Sequence, residues 1–259
     1  MNGVVELLKQ RVSLRRYEQK PVSQEHLDTI LECAIRAPTA GNMMLYSIIM
    51  VEDKGKKESL SRSCDNQPFI ARAPLVLVFA ADYQKWYDYY HAGNVAEYCR
   101  REGLPFVYPT EANLLLAACD ALVAAQNAVV AGESLGIGSC YIGDIMERYE
   151  DHRKLLNLPD YVFPVAMLCM GYYPGKNTKK YRSRFRKEYV VFKDSYRRLN
   201  EGEIEDMFGS LEGNFRAADS SDRAQNYAQR HYAKKTGAPF SQEMTRSVGE
   251  ALKIWNGQE

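Results

Sequence analysis

The six cysteines, Cys33, Cys64, Cys99, Cys119, Cys140 and Cys169, stand far apart and form no Cys-x-x-Cys pair. That spacing excludes a zinc ribbon and a compact disulfide framework, and it predicts reduced thiols, several of them in the core. The four histidines, His26, His91, His152 and His231, share no ligand spacing, so no metal site is expected. There is no nucleophile elbow, metalloprotease His-Glu-x-x-His, Walker A loop or Rossmann fingerprint; GESLGIG, residues 132–138, closes a helix, whereas a dinucleotide fingerprint opens one. Charge of one sign is also missing: the formal net charge is +1, which creates no global field for polyanions and makes any basic site local. Nor is there a long uninterrupted apolar run. The start, MNGVVELLKQR, is broken by Glu6, and segment 112–138 carries Asp120, Gln126, Asn127 and Glu133, so it reads as a buried helix rather than a membrane span. A cytoplasmic protein with no membrane partner is expected.

What is present is the pattern of one large domain. Apolar residues Leu27, Ile30, Leu31, Ala34 and Ile35 fall at helical spacing between Ser23 and Pro38. PTAGN, residues 38–42, is then a loop, Tyr46 to Val51 a strand, Lys54 to Arg62 a helix, and CDNQPF a second loop. LVLVFA, residues 75–80, is continuously apolar, as in a strand buried on both faces. Residues 83–109 are rich in tyrosine and suggest a helix with an exposed aromatic face. The alanine-rich stretch from about Glu111 to Leu135 predicts a central helix that neighbouring backbones approach closely. SCYIG and PVAMLCMG read as further strands, and the last fifty residues as helices at about 222–235 and, capped by Ser241, about 242–255. Strands separated by helices predict an α+β or α/β domain with one sheet.

Two basic clusters interrupt this frame: RVSLRRY, residues 11–17, and KKYRSRFRK, residues 179–187. Crowded cations repel unless an anion or acid sits among them. Each cluster contains a serine, and guanidinium forks with a hydroxyl can grip one phosphate from two sides. Two other readings fit the same residues: solvated basic faces, or contact with RNA or DNA in which Tyr17, Tyr181 and Phe185 stack on bases.

RVSLRRYEQKPV, ILECAIRAPTAGN, DALVAAQNAVVAGESLGIGSCYIG, FPVAMLCMGYYP and RSRFRKEYVV, in this order and at these separations, together resemble the FMN-dependent nitroreductase family, in its branch of oxygen-insensitive NADPH nitroreductases and flavin reductases. The resemblance implies an α+β fold, a central mostly antiparallel sheet flanked by helices, in an interlocked homodimer with FMN at its interface. It divides the chain into an FMN-binding domain, 1–199, and a C-terminal helical extension, 200–259. It implies that Arg11, Ser13 and Arg15 hold the phosphate and reach along the flavin, that Pro38, Thr39, Ala40 and Asn42 line the cofactor, and that Gln67 stands at the pyrimidine edge. Tyr141, Ile142, Gly143 and Asp144 match the turn whose backbone N–H groups approach the ring. Arg182 and Arg184 match the pair completing the phosphate site, with Lys180 as the fallback if the register shifts by a residue or two. Where the family often continues from Gly-Asn into Gln-Pro-aromatic, this chain has Met43, Met44 and Leu45 before Tyr46, an adaptable apolar wall on the substrate side.

The implied activity is reduction of nitroaromatics, quinones or free flavins, with NADPH or NADH as donor, by two-electron ping-pong hydride transfer. No catalytic side chain is expected, because the flavin carries the chemistry. Arg223, Arg230, Lys234 and Lys235 either meet the 2′-phosphate of NADPH or form a solvated helix face, and segment 83–109 either covers a small aromatic acceptor or packs at the dimer surface. Other flavin chemistry on the same fold, dehalogenation or flavin fragmentation, and a non-catalytic flavin- or nucleic-acid-binding module are the alternatives.

Overall fold

Apolar runs with two different periods build the core of the chain. The computed structural model describes residues 2–175, 181–216 and 223–256; Lys180 lies outside them. In chain order the described elements are α1 (Gly3–Gln10), α2 (Gln24–Ile35), β1 (Tyr46–Met50), α3 (Lys54–Ser63), α4 (Pro68–Arg72), β2 (Leu75–Asp82), α5 (Gln84–Ala92), α6 (Val95–Glu102), α7 (Glu111–Ser134), β3 (Ile137–Ile142), α8 (Tyr149–Leu156), β4 (Val162–Tyr172), α9 (Glu201–Arg216), α10 (Tyr227–Lys234) and α11 (Pro239–Trp255). They fall into two compact units, Met1–Lys179 with Glu243–Glu259, and Lys180–Gln242.

The first unit is built on one antiparallel sheet of order β1-β2-β4-β3. All of β2 is buried, and alternate residues serve opposite faces. Leu75, Leu77, Phe79 and Ala81 join the core formed with α2 and α7, while Val76, Val78 and Ala80 join a second core with Leu14, Tyr17, Leu60 and Ile70. A proline within a central strand would normally break the ladder. Here Pro164 lies at a bulge: Ala80 faces Pro164 and Phe79 faces Ala166, so Val165 is the extra residue.

On one face of the sheet lies α7, where Ala117, Ala121, Ala124, Ala125 and Ala128 are buried and let backbones approach. A Cβ on Gly132 would come 2.6 Å from Met170 Cε. This helix is long and apolar enough to cross a bilayer by length and composition, but its alanine face is filled by the sheet and α2. Its opposite face exposes Leu115, Leu116, Cys119, Leu122 and Val123.

Three elements depart from the sequence reading. The tyrosine-rich stretch forms two helices, α5 and α6, because Gly93 and the left-handed Asn94 interrupt it. Helix α9 is an addition to the two expected C-terminal helices. Helix α11 begins at Pro239, so Ser241 lies in its first turn rather than capping it; proline is well placed at such a start because the N–H it lacks has no intrahelical acceptor.

Candidate functional site

The segment between α1 and α2 is an extended strap laid along the edge strand β3. Ser13 bridges Ser139 in parallel register, and the Leu14 N–H donates to Ser139 O at 2.8 Å. Leu14 and Tyr17 sink into the second core, and the Tyr17 hydroxyl donates to Leu14 O at 2.8 Å and to Cys169 O at 3.1 Å. Burial raises the pKa of that hydroxyl. Two glycines leave room for the strap: a Cβ on Gly138 would lie 2.6 Å from Leu14 Cδ2, and one on Gly171 would lie 2.9 Å from Tyr17 Cβ. With Leu14 held inward, the two-residue period of extended chain sends Arg11, Ser13 and Arg15 to the other side.

These side chains gather at the C-terminal half of β3. The Ser13 hydroxyl meets the Cys140 thiol, which burial raises while the guanidinium groups of Arg15 and Arg11 act to lower it. Arg15 lies 5.8 Å from the centre of the Phe69 ring on α4. Burial pushes Tyr141 up to about 12, with Arg11 acting in the opposite direction, and the Tyr141 hydroxyl donates to Gln126 on α7.

Gln67 enters from the other side. The turn before it holds Asp65 and Asn66 at positive φ, its backbone N–H donates to Ser61 O at 2.9 Å, and Ser61 Oγ donates back to Gln67 O. Its side-chain Nε2 donates to Cys64 O at 3.0 Å and to Asp144 Oδ2 at 2.6 Å. Because a carbonyl only accepts, the orientation of the amide is settled, and Oε1 is the part with hydrogen-bonding capacity to spare. After the buried Ile142, the chain turns through a 3-10 segment, Gly143–Met146. A Cβ on Gly143 would meet nothing nearer than Met146 Cε at 3.9 Å, so its backbone is open to a ligand.

The loop 38–42 is organised separately by a residue the sequence reading did not single out as functional. Asp120, buried on α7, accepts from the Thr39 hydroxyl, from Ala40 N at 3.1 Å and from Leu45 N at 3.2 Å. Gly41, Asn42 and Met44 take positive φ, and Pro38 and Asn42 are exposed. The residues that depart from the family pattern do not form one apolar wall: Leu45 is in the core, Met43 packs against it with its carbonyl accepting from Trp86 Nε1, and Met44 is exposed. Among the described residues no hydrogen bond joins this loop to the strap.

Arg182 and Arg184 lie exposed in an irregular stretch of the second unit. In that unit Arg230 stands 4.3 Å over the Phe215 ring and Lys235 5.3 Å over Phe240. In segment 83–109, Tyr87, His91, Phe106 and Tyr108 pack ring against ring.

The strap, the Gln67 amide and the Gly143 turn thus set guanidinium and hydroxyl donors, an amide oxygen and an open backbone around one end of one strand. The sequence model of the Nitroreductase family matches residues 8–172. An FMN reductase [NAD(P)H] from Bacillus subtilis (strain 168) is 34% identical over 204 residues, 79% of this chain and 78% of that one. A CR(VI) reductase from Pseudomonas sp. (strain G-1) is 35% identical over 179 residues, 69% of this chain and 70% of its own length. Among solved structures, NfrA2 of B. megaterium superposes with a TM-score of 0.74 at 30% identity, covering 95% of this chain and 98% of that one. On this match of sequence along most of the chain and of fold along nearly all of it, the chain belongs to the nitroreductase family.

Proposed function

We propose that this chain is an FMN-dependent NAD(P)H oxidoreductase, with nitroaromatics, quinones or free flavins as electron acceptors. The observation that carries the reading is the convergence of Arg11, Ser13, Arg15, Gln67 and the open Gly143 backbone around the end of β3. This donor set suits FMN: forked cations and a hydroxyl match phosphate oxygens, and an amide with backbone N–H groups matches the mixed donors and acceptors of a pyrimidine edge. The relatives named as an FMN reductase and a CR(VI) reductase support an electron-transfer function of this kind.

FMN, when bound, supplies the two-electron hydride chemistry. Arg11 and Ser13 hold the phosphate, Arg15 reaches along the cofactor, and Gln67 fixes the pyrimidine edge. Tyr141, Ile142, Gly143 and Asp144 would form the turn against the ring, and the Arg15 guanidinium with the backbone N–H groups of that turn would favour the reduced, anionic form of the cofactor. Pro38, Thr39, Ala40 and Asn42 line the cofactor from the Asp120-braced loop. No protein nucleophile is required, and donor and acceptor occupy the same open face in turn.

The chain acts as a homodimer. One observation supports this: α7, packed on its alanine side, exposes Leu115, Leu116, Leu122 and Val123, and α1 exposes Val4, Val5 and Leu8. Apolar side chains in such number on neighbouring helices are ordinarily covered by a partner. The cytoplasm is the compartment proposed, in keeping with free thiols at all six cysteines.

The test is reconstitution with FMN followed by anaerobic addition of NADPH or NADH. Loss of the visible flavin band on adding donor, and its return on adding a quinone, supports the reading. A protein that retains no flavin, or holds one that neither donor bleaches, contradicts it.

A further inference from the structure

Beneath the Gln67 amide lies an acidic pair that the flavin reading does not use. Asp144, whose Oδ2 accepts from Gln67, is itself in a side-chain hydrogen bond with Glu147 three residues on. The two are also joined by the backbone, Glu147 N to Asp144 O at 3.1 Å. Glu147 is 4% exposed, and its Oε1 is buried with no hydrogen-bond partner. Two carboxylates cannot hydrogen-bond to each other; one of them must hold a proton.

Building on the assignment of FMN to this site, we propose that Glu147 is a positioning residue whose carboxyl proton, shared with Asp144, fixes the Gln67 amide so that its oxygen is offered to the N–H of the flavin's pyrimidine edge. The chain of donors runs one way. Glu147 donates to Asp144, Asp144 keeps an oxygen free to accept from Gln67 Nε2, and the second amide hydrogen goes to Cys64 O. Both hydrogens of the amide are thereby committed, leaving Oε1 as an acceptor.

The charges around Glu147 hold the proton in place. Asp144 on its own turn, Asp65 from the loop between α3 and α4, and Glu243 at the start of the first unit's part of α11 all oppose its ionisation, and burial does so most. Arg148 follows it in the chain and its guanidinium acts on the neighbouring Cys64 and His152; the other groups alongside are the Cys64 thiol and the His152 ring, whose Nε2 lies 2.7 Å from Ser63 Oγ and whose Nδ1 lies 2.9 Å from Ile145 O. Burial and the three acidic neighbours together raise Glu147 from 4.5 to about 7. The proton is present below neutrality and lost as pH rises through about 7. Above that point two adjacent carboxylates repel, Asp144 shifts away from Gln67, and the amide is held only by its bond to Cys64 O.

FMN affinity, read by quenching of flavin fluorescence from about pH 6 to about pH 8.5, tests this in wild type, Glu147→Gln and Gln67→Leu; the window brackets the titration of a carboxyl raised to near neutrality. The flavin phosphate titrates in all three alike and cancels in the comparison. Wild type should bind about 2–10-fold more weakly at the alkaline end, the range expected for losing one hydrogen bond. Glu147→Gln, which donates to Asp144 at every pH, should remove that step and keep the tighter affinity. Gln67→Leu should also remove the step in affinity while leaving the pH dependence of thermal stability, which belongs to the acidic pair. A step that persists in Glu147→Gln, or in Gln67→Leu, overturns the proposal, as does wild-type affinity that does not weaken across the range. Wild type that binds no FMN at any pH overturns the flavin assignment itself, a result distinct from binding without the step.

Discussion

A guanidinium that meets a phosphate in a partly enclosed site contributes more than one in open water, because its hydrogen bonds are charge-assisted. Arg11→Ala should therefore weaken FMN binding about 10–100-fold, and Ser13→Ala, which removes a neutral donor, about 2–10-fold. Fluorescence titration measures both; equal and negligible effects would remove the strap from the phosphate site. The strap's own position depends on two missing side chains. Gly138→Val puts new atoms where Leu14 Cδ2 already lies 2.6 Å from a Cβ, so it should lower thermal stability by about 1–3 kcal/mol and weaken FMN binding at the same time. The residues of the strap were singled out in the sequence because crowded cations beside a hydroxyl suit a phosphate and because RVSLRRYEQKPV resembles a family motif; their alternation along an extended chain came with the fold. Asp120 and Glu147 were not legible as functional residues. Asp120, an isolated acid in an apolar stretch, reads the same whether it braces a loop or faces water, and its partner Thr39 is 81 residues away; Glu147 reads as one acid among several in a charged turn, and the Gln67 amide held by its neighbour Asp144 is 77 residues from that turn.

At the scale of elements, the turn that carries Gly143, Asp144 and Glu147 is held from behind by α11. The buried Ser247 hydroxyl donates to Met146 O at 2.7 Å and accepts from Tyr149 N at 2.8 Å, so it bridges the turn to the start of α8. Ser247→Ala leaves both backbone groups without partners and should cost about 1–3 kcal/mol, seen as a lower thermal midpoint. The same turn gives stability a pH dependence whose sign follows from Glu147. Its carboxyl is raised from 4.5 to about 7 in the folded chain, so between those values the native state binds more protons than the unfolded one. Stability therefore falls as pH rises through that window. Glu147→Gln should raise the thermal midpoint at about pH 8 and change it little at about pH 5, a difference on the order of 1–2 kcal/mol after allowance for screening. The strands were readable because LVLVFA and PVAMLCMG are apolar without interruption, which suits burial on both faces. Helix α9 was not, because Gly202, Gly209 and Gly213 interrupt its pattern. The bulge at Pro164 is invisible in one strand alone, since it is a relation between two.

For the molecule as a whole, the proposed dimer follows from apolar surface on α7 and α1 that the chain leaves uncovered. Leu115 is 69% exposed although it lies on the central helix of the first unit. A Leu115→Asp, Leu122→Asp double variant should sediment as a monomer and lose most of its FMN, because burying two carboxylates without partners costs several kcal/mol. A variant that stays dimeric and yellow would place the interface elsewhere. The family resemblance was legible from five stretches spread over residues 11–191, and the match to residues 8–172 supports it. Acceptor choice was not legible, because it depends on how exposed side chains such as Met44 and the tyrosines of segment 83–109 shape the open face. The measurement that bears most directly on the central claim is anaerobic stopped-flow absorbance of the FMN-loaded protein mixed with NADPH. The flavin band should disappear in a single-turnover phase, with a rate that saturates in donor and falls sharply in Arg11→Ala; a band that persists through excess NADPH and excess NADH would contradict it.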